Sequence, residues 1–236
     1  MNVAQNRYEA GEYDVDFGDD QFKADQILRL LANIPDLKAL SSYADVGCGN
    51  GGTFAGIYEG LIRQGCALQR AVGYDLLPEE KFRAKNREGI CYKRMDFFDD
   101  HQDYDLITLN DVVEHVLQPQ DFCAKIGQRA RYVALHIPLD DRLSVLCTNQ
   151  YNYRLQSVGH LSYWSPASAL SMLTASGLLP LHCFFSPGFK APSGRALLRR
   201  RLVLPLRWLM WLINPGLMAV TAGGISLAVL CRGHKP

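Results

Sequence analysis

From Leu143 to Pro236 the chain contains no Asp or Glu. Nine Lys and Arg residues fall there, whereas residues 1–142 hold all 24 acids against 16 Lys and Arg. The formal net charge of +1 therefore conceals an acidic first part and a basic second part. Cysteine is present but unpatterned: positions 48, 66, 91, 123, 147, 183 and 231 form no C-x-x-C pair and leave an odd count. That excludes a disulfide framework and a zinc ribbon, and points to a reducing compartment. Met1 to Asp20 is polar and acidic with no apolar core, so no secretory leader is expected. Pro205, Arg207, Asn214 and Pro215 interrupt the most apolar stretch, and Gly216 to Cys231 is too short for a bilayer core of about 30 Å. No internal repeat is found. At 236 residues and 48% hydrophobic, the chain can bury one sizeable core.

The most informative stretch is Tyr43-Ala-Asp-Val-Gly-Cys-Gly-Asn-Gly-Gly-Thr53, a short apolar strand running into a glycine-rich turn. Glycines let the backbone take positive φ and let a ligand come close, while the helix that follows offers unpaired N–H groups. The turn satisfies G-x-G-x-G (Gly47, Gly49, Gly51) and also G-x-G-x-x-G (Gly47, Gly49, Gly52), the dinucleotide pattern. Asp45 favours the first reading. A dinucleotide needs the helix terminus for its pyrophosphate, whereas S-adenosylmethionine carries an ammonium group that an acid before the turn would suit.

Further acids follow in matching order. Ala71 to Asp75 reads as a second strand ending in a carboxylate for ribose hydroxyls, with Leu76 beside it. Ile90 to Met95 reads as a third, ending at Asp96-Phe97, an acid and an aromatic suited to an adenine ring. Tyr104 to Asn110-Asp111 is a fourth, with Val112 to Val116 expected on a helix. In these motifs, and in Gly159-His160-Leu-Ser-Tyr-Trp164-Ser-Pro166, the chain resembles the class I S-adenosylmethionine-dependent methyltransferases. The likeness is to their small-molecule group, of ubiquinone-type and type 11 and 23 domains, over residues 20–185. The resemblance implies an α/β fold: a seven-stranded, mostly parallel sheet with helices on both faces and a last, antiparallel strand. Strands are expected near 43–46, 71–75, 90–95, 104–110, 131–137, 181–185 and 225–231. It further implies that Asp45, Gly47, Cys48, Gly49, Asn50 and Gly51 cradle the methionine part of the cofactor. Asp75 and Leu76 would take the ribose, Asp96 and Phe97 the adenine, and Asn110 and Asp111 the surroundings of the sulfonium.

One domain is expected over 1–236: an N-terminal cap and helix (1–40), a cofactor-binding core (41–185), a basic amphipathic insertion (186–224), and the last strand with its tail (225–236). In the insertion, Arg195, Arg199, Arg200, Arg201 and Arg207 interleave with leucines before Trp208-Leu-Met-Trp-Leu-Ile213, a composition that suits a membrane interface over 195–213. A lid or a plain helical cover are the alternatives. The expected location is the cytoplasm, at the inner face of a membrane where the insertion engages one. Nucleic acid is not an expected partner, because the basic stretch is loaded with Leu and Trp and the rest is acidic. Methylation of oxygen requires a base, and His160 and His115 are the candidates. No metal is expected; the alternative ligand set is Asp111, Glu114 and His115 on one helical turn. Tyr8, Tyr13 and Phe17, with Tyr151, Tyr153, Tyr163 and Trp164, suggest an aromatic wall for a hydroxylated small or lipid-linked acceptor of glycan, lipid or quinone type. The rival readings are a nicotinamide dehydrogenase and a non-catalytic cofactor-binding scaffold at a membrane.

Overall fold

The computed structural model describes residues 7–13, 18–81, 89–192 and 198–235, with the backbone alone for 198–203. The chain alternates strand and helix: α1 (Asp20–Leu31), β1 (Ser42–Val46), α2 (Gly52–Arg63), β2 (Arg70–Asp75), β3 (Cys91–Arg94), β4 (Tyr104–Asn110), α3 (Pro119–Gln128) and β5 (Ala130–Pro138). There follow α4 (Leu143–Cys147), α5 (Tyr151–Ser157), α6 (Pro166–Ala175), β6 (Leu179–Ser186), α7 (Leu198–Ile213), α8 (Pro215–Val220) and β7 (Ser226–Arg232). The seven strands form one sheet in the order β3-β2-β1-β4-β5-β7-β6, in which β1 to β5 are parallel. Strand β7 runs antiparallel to both of its neighbours, β5 and β6.

Alternation along the strands explains why both faces are covered. Val133, Leu135 and Ile137 of β5 and Leu227, Val229 and Cys231 of β7 join one core layer with Ile126 of α3 and Met172 and Leu173 of α6. The intervening Tyr132, Ala134, Ala228 and Leu230 join the other, with Ile27, Leu30 and Leu31 of α1 and Phe54, Ile57 and Leu61 of α2.

Residues 112–116 do not form the expected helix; they make a turn, and the helix begins at Pro119. Asp111 stands at φ +54, and the Glu114 carbonyl accepts from the N–H groups of Leu161 (2.7 Å) and Ser162 (3.1 Å) instead of from a helical turn. Gln118, preceding proline, is pushed out of the helical region, which sets the boundary one residue later. The insertion is helical: α7 runs through Pro205, and Asn214 caps α8 through a side-chain bond to Leu217 N–H at 2.9 Å. Phe17 and Arg195 lie outside the described residues, as do the side chains of Arg199, Arg200 and Arg201.

Ile107 sits fully buried on central β4. Ile107→Ala is expected to cost about 2–5 kcal/mol, read as a lower urea midpoint with an unchanged slope. A loss below about 1 kcal/mol would contradict the packing described.

Candidate active site

The carboxyl ends of the parallel strands open on a cavity of about 760 Å³ at the point where strand order reverses between β1 and β4. Gly47 and Gly49 line it, both at positive φ. A Cβ on Gly49 would meet nothing within 4 Å, so the turn leaves open space above itself. Gly51 acts differently, because a Cβ there would lie 2.4 Å from the Tyr92 ring, and its carbonyl accepts from Tyr92 Oη at 3.3 Å. It shapes the turn behind the cavity, while Cys48 and Asn50 stay on the wall.

The start of α2 is already occupied by a carboxylate. Thr53 Oγ1 donates to Asp20 Oδ1 at 3.1 Å, and a Cβ on Gly52 would lie 2.3 Å from Asp20 Oδ2. A pyrophosphate would meet that charge where the dinucleotide reading requires helix N–H groups. The six-residue glycine pattern is therefore present in sequence without the anion site that gives it meaning.

Asp45 is 1% exposed at the end of β1. Register pairs it with Thr108 of β4, and period two puts Asn110 on the same side, so Thr108 Oγ1 (2.5 Å) and Asn110 Nδ2 (3.0 Å) both donate to its Oδ1. Its Oδ2 is buried with no partner, as is Asn110 Oδ1. Burial pushes the Asp45 carboxyl up to about 7 against those two bonds. Asp75, ending β2, accepts from Gly49 N–H (2.6 Å), Leu77 N–H (2.9 Å) and the Tyr8 hydroxyl (2.9 and 3.1 Å). Tyr8 thus fills the acceptor positions that a ribose diol would use. Leu76, Met95, Asp96, Phe97, Phe98 and Phe122 continue the wall. Asp96 is exposed and accepts from Phe98 N–H, whereas the Phe97 ring is buried edge-on to Tyr74, 5.2 Å between centroids. Phe98 and Phe122, overlooked in the sequence, are partly buried on the same side.

Beyond Asn110 the cavity changes character. Asp111 pairs with Lys23 (2.9 Å) and with His136 Nδ1 (2.7 Å), whose Nε2 meets Ser186 Oγ at 3.1 Å. Although burial opposes ionisation, the Lys23 ammonium and then His136 hold Asp111 well below the usual carboxylate range. Asp111 is thus engaged away from Glu114 and His115, which corrects the ligand set read from sequence. The trio that converges is Glu114, His115 and His160, whose ligand atoms lie within 4.8 Å of one another and form the candidate cation site. Both Glu114 oxygens are buried without a hydrogen-bond partner, Oε1 lying 3.8 Å from His115 Nε2, and burial, reinforced by the charge of Asp111, raises its carboxyl strongly. The His115 and His160 rings meet edge to face at 4.9 Å. His115 Nδ1 donates to the Gly159 carbonyl at 3.2 Å, and burial, together with His160, lowers its pKa to about 4. His160 Nδ1 stands 3.4 Å from Asp140 Oδ2. Tyr151, Tyr153, Tyr163 and Trp164 do not line the cavity. Tyr163 instead bonds the carbonyls of Tyr151 (2.7 Å) and His160 (3.2 Å), bracing the segment that carries His160. Tyr13 packs over Gly159, and Arg7 lies 4.7 Å above its ring.

A doubly wound sheet with an open glycine turn and unpaired polar acceptors at its switch point defines an α/β enzyme that binds a nucleoside cofactor. The family model described as a methyltransferase domain matches residues 18–182, and the chain belongs to that family. No curated protein matches it. Among solved structures, a putative methyltransferase of Haloferax volcanii, in complex with the Trm112 methyltransferase activator, aligns with TM-score 0.61 at 15% identity over 98% of this chain and 96% of its own. Magnesium protoporphyrin IX methyltransferase of Synechocystis, with bound S-adenosylhomocysteine, gives 0.56 at 14% over 99% and 89%. A geranyl diphosphate methyltransferase in complex with S-adenosylmethionine gives 0.56 at 13% over 89% and 85%. S-adenosylmethionine is the cofactor. The residues fit it: open space stands above Gly49, Asp45 keeps an unpaired oxygen for a cation, and Asn110 an unpaired acceptor.

Burial holds the Asp45 carboxyl near 7, so pairing with a cofactor ammonium at its open oxygen would drive its proton off. Affinity for S-adenosylmethionine is therefore expected to fall about tenfold per pH unit below 7 and to level off above it. Calorimetric titration across that range checks this, and Asp45→Asn should flatten the profile. A profile already flat in the unmodified protein would remove Asp45 from the site.

Proposed function

We propose that this methyltransferase acts on an oxygen of a small or lipid-linked hydroxylated acceptor, with His160 as the base. The observation that carries the reading is the Asp140–His160 pair at 3.4 Å, on the same cavity as the glycine turn. S-adenosylmethionine, when bound, supplies a methyl group already activated on a sulfonium. The protein's part is then to position the acceptor and remove its proton. Asp140 faces the Nδ1 side of His160 as a charge partner at 3.4 Å without a formed hydrogen bond, and Nε2 is the nitrogen left to accept a hydroxyl proton. His115 is less suited to that chemistry: with a pKa near 4 it is a weak base at neutral pH, and its Nδ1 is committed to Gly159. The edge-to-face contact with His160 makes it a positioning residue.

A membrane-facing role for the insertion is supported by its surface. Leu206, Leu209, Leu212 and Ile213 of α7 are 56, 55, 75 and 72% exposed, and Leu217 of α8 stands out beside them. Trp208 sits at 42% exposure with Lys190 Nζ 4.0 Å over its ring, an aromatic and cationic pairing at the edge of the patch. No helix among the described residues is long and apolar enough to cross a membrane, so contact would be from one side.

Two measurements test these readings. His160→Gln should lower methyl transfer to a panel of glycan, lipid-linked and quinone-type hydroxyl acceptors by about 10²–10⁴-fold with cofactor affinity unchanged. An undiminished rate would dismiss His160 as the base. Leu209→Glu with Leu212→Glu should abolish sedimentation with anionic vesicles while the melting temperature stays constant; vesicle binding that survives the pair would dismiss the patch.

A further inference from the structure

The acceptor end of the cavity is lined by Arg142, Arg154 and Arg207, with Asp140 as the carboxylate among them. Asp140 is divided between two of these: Arg142 Nη1 bonds its Oδ1 at 2.6 Å and Arg154 Nη1 its Oδ2 at 2.5 Å. Arg142 also donates to the Leu139 carbonyl (2.9 Å) and Ser144 Oγ (3.1 Å), and its side chain is only 10% exposed. Arg154 Nε is buried with no partner. Among the described residues, the other acids that line the cavity are engaged elsewhere or lie apart from these arginines: Asp111 is paired with Lys23 and His136, and Asp20, Asp45, Asp75 and Asp96 lie at the end of the glycine turn.

The backbone is arranged to admit these guanidiniums. Gly223 and Gly224, just before β7, both stand at positive φ. A Cβ on Gly223 would lie 2.2 Å from Arg142 Nε, and one on Gly224 would lie 3.3 Å from Arg207 Cζ. A side chain at 223 would therefore evict Arg142. Two guanidiniums sharing one carboxylate, with the Arg207 charge near Arg142, meet desolvation and repulsion that Asp140 offsets only in part. Burial, with Arg154 and Arg207 close by, accordingly lowers the Arg142 pKa despite Asp140. An anion with several oxygens, placed among forked donors, would supply the missing charge.

We infer that Arg142, Arg154 and Arg207 form an anion subsite that holds a phosphate or diphosphate group of the acceptor while its hydroxyl faces His160. This rests on the methyltransferase reading of the same cavity and gives it a substrate class: a phosphorylated hydroxyl compound, either a soluble phosphate ester or a phosphate-bearing lipid. Asp140 serves both halves of the arrangement, facing the Nδ1 side of His160 and spacing two arginines around the phosphate.

The test uses the full chain saturated with S-adenosylhomocysteine. Calorimetric titration with pyrophosphate, and with acetate as the carboxylate counterpart, is run beside sedimentation with phosphatidylcholine vesicles with and without phosphatidic acid. Pyrophosphate should bind and acetate should not, and Arg154→Gln and Arg207→Gln should each weaken pyrophosphate by about 10- to 100-fold with S-adenosylhomocysteine affinity intact. Exposed Arg63→Gln on α2 should change nothing. Binding only to phosphatidic acid vesicles, lost in Arg207→Gln, would support the same subsite and assign it to a lipid phosphate. Equal binding of acetate, equal binding by the variants, or no phosphate binding in protein that holds S-adenosylhomocysteine would overturn the subsite. Loss of S-adenosylhomocysteine binding in the unmodified protein would instead bring down the cofactor site, and the subsite with it.

Discussion

The chain of charge and hydrogen bonds from Lys23 through Asp111 and His136 to Ser186 holds the site together. It joins α1, the turn after β4, β5 and β6, elements far apart in sequence. Asp111 sits at a positive φ that a residue other than glycine adopts at some cost. Its carboxylate is fixed on both sides by positive or donating groups, which keeps that conformation in place. With Asp111 so held, the following residues turn instead of coiling, and Glu114 and His115 meet His160 on the cavity wall. Removing Lys23 or His136 would leave a half-buried carboxylate short of a partner, a costly state.

The cofactor half was largely legible in the sequence because it is local. A strand, a tight turn and a helix leave their marks in adjacent residues, so Asp45, Gly47, Gly49 and Asp75 could be read together, and a mostly parallel sheet covered on both faces followed from the β/α alternation. The acceptor half was legible only in fragments. Asp140, Arg142 and Arg154 lie close together along the chain, yet Arg207 and the Gly224 beside it come from within a long insertion. Nothing in Val112 to Val116 announces that the Glu114 carbonyl will be claimed by Leu161 and Ser162. The aromatic residues misled for a related reason: composition suggests stacking, but whether Tyr163 faces a ligand or braces its own loop depends on where two carbonyls happen to lie.

The uneven charge of the chain acquires a spatial meaning in the fold. Acids crowd the end of the cavity made by β1 to β4, where the cofactor contributes an ammonium and a sulfonium. The acid-free part supplies α5, α7 and the segment before β7, and so brings arginines to the other end. One cavity thus carries opposite polarity at its two ends. His115 and His160 mark the change of sign between them.

Strands β6 and β7 pair through Ser186 and Ser226, directly opposite each other in register. Everything between them, including α7 and α8, leaves the sheet and returns to it at one rung of the ladder. The sheet itself would close with a short hairpin turn at that rung, so its topology owes the insertion nothing. What ties the insertion down is side-chain packing, through buried Phe189, Met218 and Ala219. The insertion is therefore a removable module in the covalent sense and a committed one in the energetic sense. Its length and chemistry can vary without rethreading a single strand, provided a few apolar anchors stay seated in the core.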